Sequence, residues 1–125
     1  MQAFDLSGTL VNIDYNADQL ITAIYDAQMI YLPIGSFVII TAQQDSAPIQ
    51  KAIRAMVAAN YPKCERIYFV NGTEQQVIAQ KIERLKAIEA TEYTDDNRDI
   101  LAAIRIRLPD LKLYVMTSRG RALYK

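Results

Sequence analysis

The sequence contains no histidine, which excludes nucleophile–imidazole pairs, HExxH zinc sites and imidazole acid–base chemistry. Chemistry must then run on carboxylates, lysine, hydroxyls, backbone dipoles or a hard metal ion. Three places concentrate such groups. FDLSGTL at 4–10 puts Asp5 after a short apolar lead, with Ser7, Gly8 and Thr9 behind it; the Gly-Thr turn offers backbone N–H groups to phosphate oxygens. VIITA at 38–42 closes an apolar run on Thr41, and YTDDN at 93–97 carries the adjacent carboxylates Asp95 and Asp96. Carboxylates gathered at one point repel and desolvate one another unless a cation lies between them. With only oxygen donors on hand, Mg²⁺ is the natural occupant, keeping several waters for a phosphate ligand to replace.

The elements between these points decide whether they meet. SFVIITA (36–42) and RIYFV (66–70) are continuous apolar, β-branched runs, the pattern of strands buried on both faces. LKLYVM (111–116) alternates and suits a strand nearer the edge; 3–6 and 91–95 are weaker strands. A helix is expected over 18–31, with Leu20, Ile24 and Ala27 on one face and Pro33 ending it. Ser46 caps a second helix, Thr73 with Gln76 forms a capping box ahead of a third, and Asn97 caps a fourth that Pro109 stops. Strands alternating with helices predict a three-layer, Rossmann-like α/β fold with a mostly parallel sheet of about five strands. Ligands in such sheets bind beyond the carboxyl ends of the strands, which is where Asp5, Thr41 and Asp95-Asp96 fall. The tail SRGRALYK reads as a frayed basic terminus, with Arg119 and Arg121 as its phosphate-contacting alternative.

The length and ordinary globular composition fit one domain over 1–125. Lys+Arg and Asp+Glu balance at 14 each, so net charge does not steer the protein towards nucleic acid or anionic lipid, although a local basic groove is compatible with it. The lone Cys64 excludes an internal disulfide and reads as a structural thiol in a reducing, cytoplasmic setting. No secretory signal is expected at the N-terminus, and no apolar run reaches the ~20 residues that cross a bilayer.

Taken together, FDLSGTL, VIITA, QKIERLKAIEA and YTDDNRDIL resemble the four motifs of the haloacid dehalogenase-like phosphohydrolases, in order and across nearly the whole chain. The resemblance implies that Asp5 is a nucleophile forming an aspartyl-phosphate. It also implies that Asp5, the Ser7 carbonyl and Asp95 ligate Mg²⁺, with Asp96 more distant, and that Thr41 and Lys81 hold the phosphoryl oxygens. Lys86, on the same helix, competes with Lys81 for that role. The nearer alternatives are structural: Asp95-Asp96 as a helix N-cap, Thr41 as a strand residue.

Two departures shape the expected function. The family usually has a second Asp where this chain has Ser7, and that Asp protonates the leaving group and activates water. A hydroxyl cannot serve as that shuttle near neutral pH, and general acid–base catalysis contributes ~10²–10⁴-fold. The ion-pumping ATPase branch carries Thr here and has a long-lived phosphoenzyme. The second departure is the cap: 10–36 and 41–81 leave no room for an inserted cap domain, so the site is expected open, to a macromolecular phosphate or to a neighbouring subunit of a homo-oligomer acting as lid. QKIERLKAIEATEYTDDN is also similar to the phosphatase half of polynucleotide kinase-phosphatases. The expectation is a Mg²⁺-dependent phosphohydrolase or phosphotransferase, weak or specialised. Its alternatives are a catalytically impaired phosphate-dependent binding or assembly module and a nucleic-acid-end processing factor.

Overall fold

The computed structural model describes all of residues 1–125. β1 (Gln2–Phe4) leads through a turn into β2 (Val11–Asn12), α1 (Leu20–Tyr25) and β3 (Gln28–Met29), before β4 (Phe37–Ala42). α2 (Ala47–Asn60), β5 (Cys64–Val70), α3 (Glu74–Ala87), β6 (Glu92–Asp95), α4 (Arg98–Arg107), β7 (Lys112–Thr117) and β8 (Gly120–Leu123) follow. The helix starts match the sequence signals. Ser46 Oγ accepts the Ile49 N–H, Thr73 and Gln76 close a reciprocal capping box, and Asn97 accepts from Asp99 and Ile100.

Six strands form one sheet in the order β5-β4-β1-β6-β7-β8, the first five parallel and β8 antiparallel to β7. Alternation along the strands sends side chains to two cores. Ala3, Val38, Ile40, Tyr93 and Leu113 pack with α3 and α4, while Phe4, Phe37 and Ile39 pack with Ile24 of α1 and the apolar stripe of α2. Helices on both faces give the Rossmann-like α/β layering. The chain runs outward from β1 to β4 and β5 on one side, then returns to β6 on the other. The connections therefore diverge between β1 and β6, and that crevice is where such sheets bind ligands.

Three expectations are corrected. The helix expected over 18–31 shrinks to the six residues of α1, because the following segment pairs as β3 against β2, Val11 opposite Met29. The Ile30 N–H donates to Leu10 O at 2.7 Å, and Tyr61 Oη donates to the same carbonyl at 2.7 Å. These non-local bonds outcompete a short, β-branched helix that propagates poorly. The 66–70 run is an edge strand, half-exposed rather than buried on both faces. Its aromatic residues are covered by cations: Arg54 lies 4.8 Å from the Phe69 ring centre and Arg84 4.3 Å from that of Tyr68. The tail does not fray. β8 turns back on β7, and Arg121 ties it down by bonding Thr94 Oγ1 (3.0 Å) and Glu92 Oε1 (2.9 Å) while lying 3.6 Å from the Tyr114 ring centre. Arg121 is thus spent on structure. No helix is long and apolar enough to cross a membrane, and the connections between β1, β4 and β6 contain no inserted domain.

Candidate active site at the β1–β6 crevice

Asp5 follows β1 directly, and its N–H donates to Thr94 O at 2.9 Å, so the backbone of β6 holds it level with Asp95. Residues of the same parity on adjacent parallel strands share a face. Asp5 and Asp95 therefore lie on the α3 side, where Lys81 reaches them from the third turn of the helix. Lys81 Nζ sits 3.2 Å from Asp5 Oδ1, 2.9 Å from Asp95 Oδ2 and 2.8 Å from Tyr93 Oη. Its three ammonium hydrogens are matched by three acceptors. Tyr93 Oη in turn donates to Asp95 Oδ2 at 2.6 Å, and Asp95 Oδ1 accepts the Asn97 N–H at 3.0 Å. The side chains of Lys81 and Asp95 are 2% and 1% exposed and that of Asp5 is 13% exposed, so Asp5 is the group of the three that faces outward. Lys86, on the same helix, is exposed and makes no such contact. The lysine left open by sequence is placed: Lys81 is the one in the cluster.

Electrostatics follow from burial. Desolvation and the Asp95 charge, opposed by Lys81 and aided by Asp96, push Asp5 up to about 8. Desolvation pulls Lys81 down, but the Asp5 and Asp95 charges overcome it and hold the ammonium above its ordinary range. Desolvation and then Asp95 push Tyr93 well above the usual phenol range and also raise Asp96. Lys81 thus pairs with two of the three carboxylates, Asp5 and Asp95, and Asp96 has no cation of its own. One carboxylate oxygen from each of Asp5, Asp95 and Asp96 lies within 4.8 Å of the others. An all-oxygen set of this kind fits a hard divalent cation that retains waters.

The turn after Asp5 explains its glycine and corrects one expectation. Gly8 adopts φ +78°, the left-handed region that favours glycine, and a Cβ there would lie 2.7 Å from Asp96 Cγ, so a larger residue would also displace the Asp96 carboxylate from its place beside the turn. The Thr9 hydroxyl, fully buried, donates to Asp96 Oδ1 at 3.3 Å. The Gly8 and Thr9 N–H groups expected to cradle phosphate are spent inside the turn, on Val11 O (2.8 Å) and Leu6 O (3.2 Å). The N–H groups without a protein acceptor are those of Leu6 and Ser7, and the Ser7 carbonyl accepts no bond within the chain.

On the β4 side, Thr41 is buried and its Oγ1 accepts from Gln43 Nε2 at 3.2 Å. The same nitrogen lies 2.9 Å from Tyr15 Oη, which is 2.5 Å from Ser7 Oγ. Tyr15 and Gln43 also line an open cleft of about 600 Å³ with Leu20, Ile49, Asn71 and Val77. No Lys or Arg borders it. Sequence reasoning missed Tyr93, Tyr15 and Gln43. Tyr93 was within reach, standing two residues before Asp95 and so on the same face of β6; Tyr15, in a loop, carried no signal. Comparison with protein-family models, with curated proteins and with solved structures finds no match.

Proposed function

We propose that this domain is a haloacid dehalogenase-like, Mg²⁺-dependent phosphohydrolase or phosphotransferase that works through an aspartyl-phosphate on Asp5. The observation that carries this reading is Lys81, buried between Asp5 and Asp95 at the switch point of the sheet, with the outermost carboxylate on Asp5. Mg²⁺, held by Asp5, the Ser7 carbonyl and Asp95 with Asp96 behind, would neutralise the carboxylates and polarise the phosphoryl group. Asp5 attacks phosphorus as the bond to the leaving oxygen breaks. The Leu6 and Ser7 N–H groups and the Thr41 hydroxyl bind the phosphoryl oxygens, and the Lys81 ammonium offsets their charge, reaching an oxygen itself as its bond to Asp5 Oδ1 is released to the attacking carboxylate. Water then displaces Asp5 and releases inorganic phosphate; an alcohol in its place makes the reaction a transfer.

The cleft shared by Tyr15 and Gln43 suits an uncharged, polar leaving group, since amides, apolar side chains and the Asp45 carboxylate line it and no cation does. This favours a small phosphomonoester over a polyanionic nucleic-acid end. Turnover of acetyl phosphate, an aryl phosphate and an alkyl phosphate by wild type and Asp5→Asn tests the reading: activity should be Mg²⁺-dependent and absent in the variant. Ser7 itself favours a second reading, a phosphate-dependent binding module. Mg²⁺-dependent phosphate binding without turnover of any of the three esters would select it.

A further inference from the structure

Ser7 stands where a proton-transferring carboxylate is expected, yet its hydroxyl is not idle. Gln43 Nε2 carries only N–H donors, so the Tyr15 and Thr41 oxygens are both acceptors towards it, at 2.9 and 3.2 Å. In the Ser7–Tyr15 contact, 2.5 Å long and within the usual range for O–H···O, either oxygen can donate; the arrangement in which Tyr15, already accepting from Gln43, gives its own hydrogen to Ser7 Oγ satisfies both contacts. The Ser7 hydrogen is then left unspent, as is that of Thr41. A single amide thereby leaves two hydroxyls as free donors, one on the β1 turn and one at the end of β4.

We infer that Tyr15 and Gln43 are positioning residues that hold the Ser7 hydroxyl as a hydrogen-bond donor to the leaving-group oxygen of the substrate. The inference rests on the phosphoryl-transfer reading above and deepens it. Asp5 attacks phosphorus, the bond to the leaving oxygen breaks, and its electron pair stays on that oxygen. The Ser7 O–H stabilises the developing charge by donation, and the oxygen takes its proton from water at the uncapped rim. Ser7 neither ionises nor gives up its hydrogen, so the missing carboxylate is replaced by an oriented dipole rather than by another acid. The help scales with the charge on the leaving oxygen. It is large for alkyl phosphates and small for acetyl phosphate, whose leaving carboxylate needs no proton.

Tyr15 is 44% exposed, so Tyr15→Phe removes a hydroxyl and little packing. The test is kcat and KM for an alkyl phosphate and for acetyl phosphate in wild type, Tyr15→Phe, Ser7→Ala and the double variant, at saturating Mg²⁺. Tyr15→Phe should lower the alkyl-to-acetyl ratio of kcat by about 5- to 10-fold, the worth of one hydrogen bond, chiefly through kcat. In the Ser7→Ala background the same substitution should cause no further fall in that ratio. A merely structural tyrosine would lower both substrates together and act equally in both backgrounds; either outcome, or an unchanged ratio, overturns the inference while Asp5-dependent turnover persists. Absence of Asp5-dependent turnover in wild type overturns the phosphoryl-transfer reading and this inference with it.

Discussion

Lys81 Nζ lies 3.2 Å from Asp5 Oδ1 across 76 residues of sequence, and both side chains are withdrawn from solvent. Lys81 is also the only cation within bonding distance of Asp95, so the cluster depends on one ammonium. Removing one partner of a buried ion pair leaves uncompensated charge and costs about 3–5 kcal/mol. Lys81→Ala should therefore destabilise the metal-free protein by about that amount in urea denaturation. Mg²⁺ should restore part of the loss in this variant, because a divalent cation offsets the same carboxylates. A loss below about 1 kcal/mol, the scale of an exposed pair, would show that the pair is not buried as described.

Asp5 is raised to about 8 by burial first and by Asp95 next, against the pull of Lys81. A carboxyl raised in the fold is favoured there in its protonated form. Its contribution to stability is full below the ordinary carboxylate range and is lost as pH rises through about 8. In EDTA, wild type should lose stability relative to Asp5→Asn between about pH 4 and pH 8. Mg²⁺ binding near pH 7 should release about one proton, because the metal takes Asp5 as carboxylate. Titration calorimetry in buffers of different ionisation enthalpy reads this directly, and a heat independent of buffer would contradict it.

The two adjacent carboxylates should differ. Asp95 is buried and tied to Lys81, Tyr93 and the Asn97 N–H, whereas Asp96 is exposed and bonded by Thr9. Asp95→Asn should weaken Mg²⁺ binding by at least about 10-fold, the lower end for disturbing a held ligand, and Asp96→Asn by less. Equal losses in titrations of the two variants would contradict this difference.

The convergence of Asp5 with Asp95 was legible because each rests on local patterns: apolar runs ending in polar residues, helix caps and the alternation of strand with helix. Lys81 came only from the family resemblance, with Lys86 as its rival, because nothing in the helix spacing says which lysine reaches the strand ends. The order of elements then brings strand ends together through rules that need no side-chain detail. What was not legible depends on non-local competition. Residues 26–31 have helical company in sequence, yet the Leu10 carbonyl captures them for the β2–β3 ribbon. Arg121 looks like a free basic tail until Tyr114, Thr94 and Glu92 come within its reach. The Gly8 and Thr9 N–H groups read as a phosphate cradle because their own carbonyl partners, Val11 and Leu6, are invisible without the turn. Tyr15 reaches Ser7 from a loop of no regular period, so nothing in its spacing marked it.

The most direct test of a nucleophilic Asp5 is covalent labelling. Wild type and Asp5→Asn are incubated with acetyl phosphate radiolabelled in the phosphoryl group, with Mg²⁺ or with EDTA, quenched in acid and measured for bound label. An aspartyl-phosphate is acid-stable and is cleaved by hydroxylamine, so wild type should carry Mg²⁺-dependent, hydroxylamine-labile label that maps to Asp5 and is absent from Asp5→Asn. Turnover without such label in wild type, or equal label in Asp5→Asn, would contradict the covalent role of Asp5.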